Sequence, residues 1–235
     1  MPPGRSTILP VPVSQPTGTV AQVRPCEPLP VEFFRRPADE LAPDLLGRYL
    51  IRTLPARNGG RSRRLILRIV ETEAYLGSID RASHAFGGRR TARTETMYLP
   101  GGHAYVYLIY GMHQCLNVVA GSAEDAHAVL IRAGAPVEGA AEMRRRRGLS
   151  PRSRPSDIAG GPGRLTHALD IDRVFNAMLL WRARSPLRIT AGCPVSPDRI
   201  AAGPRIGIDY AQEAVHWPLR FGIRGDPHLS RPLPS

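Results

Sequence analysis

Glu71, Glu73 and Tyr75 occupy every second position near the end of the stretch LILRIVETEAYLG, residues 65–77. The apolar residues before them alternate on both parities, which predicts a strand buried over much of both faces. A period of two places Glu71, Glu73 and Tyr75 on one face, with Thr72 and Ala74 opposite. A carboxylate in such a strand loses its hydration, so it must be paired or functional. A structural carboxylate bonded to backbone or arginine accounts for these residues as well as a catalytic one does. Carboxylates two residues apart on a strand have Cα atoms roughly 6.6 Å apart. That spacing is close to the one used by inverting carbohydrate glycosidases, so hydrolysis of a sugar linkage is one chemistry open to them.

A second group of reactive or stacking residues lies in AYVYLIYGMHQCLNVVAG, residues 104–121, which reads as two strands joined around Gly111 and Met112. Tyr105 and Tyr107 share a face with Ile109, and Val106, Leu108 and Tyr110 take the other. A strand tyrosine usually belongs to the core, but Tyr110 stands at the hairpin tip, where core is scarce. An aromatic wedge at such a tip suits a protein that flips a base and fills the vacated stack. Extrusion costs a few kcal/mol, and stacking on aromatic rings returns about 1–3 kcal/mol per base. A cationic purine gains a cation–π contribution as well.

Charge favours nucleic acid over a neutral glycan. The 235 residues carry a net charge of +12, and all 32 basic residues are arginine. An arginine- and alanine-rich composition is a common genomic bias and explains the choice of Arg over Lys. It does not explain the excess of positive charge, which predicts attraction to a polyanion.

The elements needed to hold these residues are legible around them. Residues 1–29 are rich in Pro, Thr, Ser and Val without period and read as a disordered tail, with one domain expected over 30–230. Pro37 opens a helical pattern over 38–46 that Gly47 stops, and RYLIRTL follows as a strand. Asn58-Gly59 marks a turn before the acidic strand. Residues 78–103 read as an ordered, irregular loop of the kind that is usually functional or mobile. AVLIRAG (128–134) is a strand, residues 136–147 a helix, and 148–160 a Pro/Gly/Ser-rich connection. RLTHALDI begins a short helix after a glycine-rich turn. Strands are expected over 177–181, 186–190, 205–208 and 219–223. The sum is an α+β domain with a mixed, mostly antiparallel curved sheet, flanking helices and a protruding hairpin.

Read in order, ETEAYLG, SHAFGGR, YVYLIYGMHQCLNV, VLIRAGAPVEG, GPGRLTHAL, and RIGI with PLRFGIRG resemble the alkyladenine (3-methyladenine) DNA glycosylase family over residues 41–225. The resemblance implies a base-excision repair enzyme that flips alkylated or deaminated purines from double-stranded DNA and hydrolyses the N-glycosidic bond. It implies that Glu73 is the general base, assisted in holding the attacking water by Arg132 and the backbone carbonyl of Ile206. Tyr75, His84 and Tyr107 become the walls of the base pocket. Asn117 crowds the amino group of normal guanine, and Tyr110 intercalates. His113 and Gln114 stand where the family has more hydrophobic or aromatic residues, which bears on lesion preference.

Residue chemistry accompanies these roles. Arg132 lies in an apolar strand and needs a carboxylate or phosphate partner. Asn117 interrupts CLNVVA and needs hydrogen-bond partners. Arg89, Arg90 and Arg93 in the loop and Arg164 near a glycine-rich helix start are candidate DNA-backbone contacts. Without lysine, the amine that a bifunctional glycosylase needs for a Schiff base is missing from every side chain; the terminal amine, on Pro2 once Met1 is removed, heads a tail that nothing ties to the site, so water is the expected nucleophile and the strand is expected to stay whole. A DNA-binding protein without catalysis and a carbohydrate glycosidase are the competing readings. Three widely spaced cysteines argue for reduced thiols and against a zinc site. No metal or cofactor is implied, and no apolar run is long enough for a membrane span. The expected setting is the cytoplasm, at the nucleoid, with the protein as a monomer.

Overall fold

The computed structural model describes residues 26–56 and 62–234. The expected tail therefore falls mostly, and the Asn58-Gly59 turn wholly, outside the described residues. A short helix α1 (Ala38–Asp44) precedes strands β1 (Tyr49–Leu54) and β2 (Arg63–Leu76). Residues 77–103 cross the surface with three short 3-10 turns. Strands β3 (Ala104–Ile109), β4 (His113–Ala120) and β5 (His127–Glu138) follow. Helices α2 (Ala140–Arg146), α3 (Ser156–Ala159) and α4 (Pro162–Leu169) lead to β6 (Leu187–Thr190), β7 (Ile200–Gly203) and β8 (Arg220–Ile223).

The strands form one curled antiparallel half-barrel, in the order β3-β4-β5-β2-β1-β6, with β8 joining β2 to β7. The fold class is α+β, as expected, but every strand pairing among the described residues is antiparallel, so the sheet is not mixed. Strand β2 is its centre. Its first half pairs with β1, residues 71–73 pair with β8, and β5 runs along nearly all of it. Consistent with that position, residues 65–74 are buried except Arg68. One face of the sheet carries the main core, with α1 and α4 packing Leu41, Leu45, Leu165 and Leu169 against Leu67, Ile69, Leu116 and Ile131. The other face is covered by two smaller apolar clusters, one around Met97, Tyr98 and Tyr105 and one around Ala82, Ile208 and Ala214.

Several boundaries depart from the sequence pattern. The helix expected over 136–147 begins only at Ala140, because β5 continues to Glu138 and Gly139 turns the chain at φ +81°. Pro136 lies at a register shift of the β2–β5 ladder, on a stretch that β4 no longer flanks. Those are the bulge and edge positions where proline is tolerated. Residues 177–181 are not a strand: Ala177 has φ +63°, and the segment bonds to the backbone of residues 102–104 through a single bridge, His103 with Leu179. Residues 205–208 are a loop turned by Gly207 at φ +75°, whereas β7 forms without having been expected. At the ends, Pro28 bridges Thr190, and Gly203 and Gly222 are in close contact with Leu233. Residues flanking the expected 30–230 body are thus packed against it.

Candidate active site

Two interruptions in the β2–β5 ladder surround Glu71. Ile69 pairs with Gly134 and Glu71 with Ala133, leaving Val70 unmatched; Thr72 then pairs with Ile131, leaving Arg132 unmatched. A bulge bends its strand and re-aims a side chain. Here the unmatched Arg132 meets both glutamates: Nε donates to Glu71 Oε1 at 3.1 Å and Nη1 to Glu73 Oε2 at 3.1 Å.

Both carboxylates are fully buried, yet their partners differ. Glu73 accepts hydrogen bonds from the Ile206 amide at 2.8 Å, the Tyr75 hydroxyl at 3.0 Å and Arg132. The Ile206 amide thus meets the carboxylate itself, a contact separate from the water-holding role that the resemblance implies for the Ile206 carbonyl. Glu71 accepts from Arg132, from Arg220 Nη1 at 3.2 Å, and from the amide and hydroxyl of Ser230 at 2.6 and 2.7 Å. Arg220 also reaches the carbonyls of Arg231 and Pro232, so the C-terminal segment closes this side of the cluster. Burial alone would depress the pKa of Arg132; Glu73 and Glu71 outweigh it and hold the pKa above the ordinary value. Burial, then the charge of Glu73, pushes the Tyr75 phenol well up, so it stays a neutral donor.

Tyr75, Arg132 and Ile206 all line one cavity of about 540 Å³, and Glu73 lies directly behind them. His84, Tyr107 and Asn117 line it too, as do Tyr110 at its mouth and Arg164 on α4. The cavity therefore gathers every pocket residue expected from sequence. The rings are close: His84 and Tyr107 meet edge to face with centroids 4.6 Å apart, and Tyr105 and Tyr107 lie 5.2 Å apart. Tyr105 and His84 Nδ1 share a hydrogen bond of 3.0 Å. Burial, then Arg93 and Arg89, lowers the His84 pKa to about 4, which leaves a neutral imidazole at pH 7. Asn117 is buried and donates to the Tyr105 carbonyl at 3.1 Å, across the β3–β4 pair.

A family described as methylpurine-DNA glycosylase matches this chain over residues 32–227. The chain belongs to that family. Curated relatives agree, each bearing the name 3-methyladenine DNA glycosylase by inference. A protein from Streptomyces avermitilis is 46% identical over 86% of this chain and 91% of its own length. One from Methanocella arvoryzae is 46% identical over 88% and 98%, and one from Bacillus subtilis 42% identical over 87% and 97%. As a methylpurine-DNA glycosylase family member the chain is a DNA-repair hydrolase acting on N-glycosyl bonds, with DNA as its substrate.

The rest of the candidate site is basic and aromatic. Tyr110 sits at the β3–β4 turn, 80% exposed, with φ +51°. A left-handed conformation costs a non-glycine residue about 1–2 kcal/mol, so the ring is held outward at an energetic penalty. Met112 beside it is 72% exposed. Gly163, in the first turn of α4, packs closely on His113: a Cβ there would lie 3.1 Å from the His113 side chain. The candidate backbone contacts divide. Arg89 is exposed on the loop, and Arg164 pairs with Asp157 at 3.4 Å. Arg90 is tied to Glu95 and Glu124 and lies over the Tyr98 ring. Arg93 lies over the Tyr107 ring, 5.0 Å from its centroid.

Two features went unread in the sequence. One is the buried Arg205–Asp80 pair, with Arg205 Nη2 2.8 Å from Asp80 Oδ1 and the guanidinium 4.7 Å from the Tyr75 ring centroid. Asp80 sits in irregular loop and gave no periodic signal. The other is the Glu71–Arg220–Ser230 group. Arg220 interrupts an apolar strand just as Arg132 does and could have been flagged for the same reason. Among the described residues no group of three or more His, Cys, Asp or Glu could hold a metal ion, and no helix is long and apolar enough to cross a membrane.

Proposed function

We propose that this protein flips 3-methyladenine and related alkylated or deaminated purines out of duplex DNA and hydrolyses their N-glycosidic bond with water. The observation that carries this reading is the setting of Glu73. It is a fully buried carboxylate with three donors, two of them paired charge and backbone amide, directly behind a cavity walled by aromatic rings. Glu73 takes a proton from a water admitted between Tyr75, Arg132 and Ile206, and its charge steadies the oxocarbenium-like sugar. Arg132 and the Ile206 amide hold the carboxylate in one orientation, and the Ile206 carbonyl helps to hold the water.

A purine slides between Tyr75 on one side and His84 with Tyr107 on the other. Asn117 projects from β4 to crowd the amino group of guanine. Tyr110 fills the gap left in the duplex, while Arg89 and Arg164 meet phosphates, and the protein works as a monomer. Glu71 is the poorer candidate base, since its two oxygens accept four hydrogen bonds and only one of its donors, Arg132, lines the cavity, whereas all three donors to Glu73 do. No lysine is present to form a Schiff base, and with water as nucleophile the reaction is monofunctional: an abasic site forms and the strand is not cut.

Incubating the protein with duplexes containing 3-methyladenine or hypoxanthine, then resolving free bases and DNA strands, tests the reading. Free base together with an intact, alkali-labile strand is expected. Strand cleavage without alkali would refute the monofunctional reaction, and tight, salt-sensitive binding without base release would leave a DNA-binding protein only.

A further inference from the structure

The two aromatic walls of the cavity each carry an arginine on the ring. Arg205 lies over Tyr75 and Arg93 over Tyr107, and neither guanidinium lines the cavity that both rings border. Their charges are not equivalent. Arg205 is buried and neutralised by both oxygens of Asp80. Arg93 is exposed and, among the described residues, has no carboxylate within ion-pair distance; the nearby Glu95 and Glu124 are both engaged by Arg90. The wall formed by Tyr107 and His84 therefore stands in front of an uncompensated positive charge. Arg93, followed by Arg89, adds to burial in holding His84 in its neutral form.

We infer that Arg93 is a specificity-determining residue that biases this site toward neutral purine lesions over cationic ones. The inference rests on the glycosylase reading above. When the glycosidic bond of a neutral base such as hypoxanthine breaks, both bonding electrons go to the purine, which becomes anionic. Water supplies the hydroxyl that closes C1′ and the proton that returns to the base. A fixed cation such as 7-methylguanine begins positive and leaves neutral. At each point along the reaction the two bases differ by one unit of charge. A positive charge behind the ring therefore shifts their relative transition-state energies by one full charge–charge interaction.

A base stacked at about 3.5–4 Å on Tyr107 lies roughly 8–9 Å from the Arg93 guanidinium. At an effective dielectric between that of a protein surface and that of water, this interaction changes a rate ratio by about threefold to tenfold. The cation–π attraction of the walls for a methylated base remains, but Arg93 opposes it.

Duplexes bearing a single hypoxanthine or a single 7-methylguanine distinguish the outcomes, with kcat/KM measured for wild type, Arg93→Lys, Arg93→Gln and Arg93→Glu. The hypoxanthine-to-7-methylguanine ratio should fall threefold to tenfold in Arg93→Gln and further in Arg93→Glu, and stay within about twofold in Arg93→Lys. Independently of turnover, nuclear magnetic resonance titration should show the His84 pKa rising in Arg93→Gln. Equal losses on both duplexes, with a shallower salt dependence, would make Arg93 a phosphate contact and overturn the selectivity role. An unmoved His84 pKa would overturn it too. Release of neither base by wild type would overturn the glycosylase reading itself, and the selectivity with it.

Discussion

Replacing Glu71 and Glu73, one at a time, by glutamine separates the acid that does chemistry from the acid that supports it. The two residues belong to one buried cluster in which Glu71 and Glu73 balance Arg132 and Arg220. Either substitution leaves two guanidinium groups facing one carboxylate. Breaking a buried pair outright costs about 3–5 kcal/mol. Glutamine keeps an acceptor, and Arg132 keeps the other glutamate, so each variant should lose about 2–3 kcal/mol. In a domain of this size that lowers Tm by roughly 4–12 °C, and both proteins remain folded at 25 °C.

Activity should split where stability does not. In Glu73→Gln the proposed general base is gone, which costs about 10²–10⁴ in rate, and the charge placed beside the developing sugar cation is lost as well. Single-turnover release of hypoxanthine, with enzyme in excess, should therefore fall by about a thousandfold or more while lesion-duplex affinity stays within about tenfold. Glu71→Gln should retain at least about a hundredfold more activity than Glu73→Gln. Wild-type release by Glu73→Gln, or equal inactivity in two variants of equal thermal stability, would refute the assignment.

Tyr110→Gly should raise stability by about 1 kcal/mol, because glycine accepts φ +51° without penalty, yet lower base release by about tenfold or more; thermal melting and excision assays moving in the same direction would argue against a wedge. The depressed His84 pKa makes a pH prediction with a definite sign. The unfolded chain takes up a proton near pH 6.5 that the folded imidazole resists until about pH 4, so the His84 contribution is complete above pH 6.5. It is lost progressively as pH falls toward 4, by up to about 3 kcal/mol. Urea denaturation at pH 7.5 and 4.5 should show a smaller acid loss in His84→Gln, and an unchanged difference would refute the burial argument. Ser230→Ala removes a 2.7 Å hydrogen bond to a buried carboxylate and should cost about 1.5–3 kcal/mol in the same assay; no loss would mean that the C-terminal segment does not brace Glu71.

What was legible in the sequence follows from how far each interaction reaches. The acidic strand, the hairpin and the short helix after Gly161 are local patterns of hydrophobic period and turn chemistry, and the structure contains all three. The pocket residues were named from motif resemblance, and the cavity gathers them. Register was not legible. Whether Val70 and Arg132 are skipped in the ladder depends on pairing between strands about 60 positions apart, and that skip decides which way Arg132 points. The same holds for Pro136, which breaks a helix pattern locally but is accommodated by a bulge and an edge. Ser230 beside Glu71 and the Arg205–Asp80 pair beside Tyr75 were invisible for a different reason. Ser230, Asp80 and Arg205 lie in irregular segments, where position in space carries no periodic trace.

The placement of the two glutamates also explains why the sheet divides where it does. Up to Arg68, β2 is flanked by β1 and β5, and its buried side chains there, Leu65, Ile66 and Leu67, are apolar. At residues 71–73 the flank changes to β8, which brings Arg220, while the bulge on β5 brings Arg132. Two guanidinium groups thus arrive at the two positions where carboxylates replace apolar side chains. Desolvating Glu73 without them would cost several kcal/mol. With them, the carboxylate is buried and ion-paired, and fixed by donors on three separate segments. Such pre-orientation is what makes a charge effective against a cation that exists only in the transition state. Of the donors to Glu71 only Arg132 lines the cavity, and in the proposed mechanism Glu71 holds Arg132 and Arg220 in place so that Glu73 need not move.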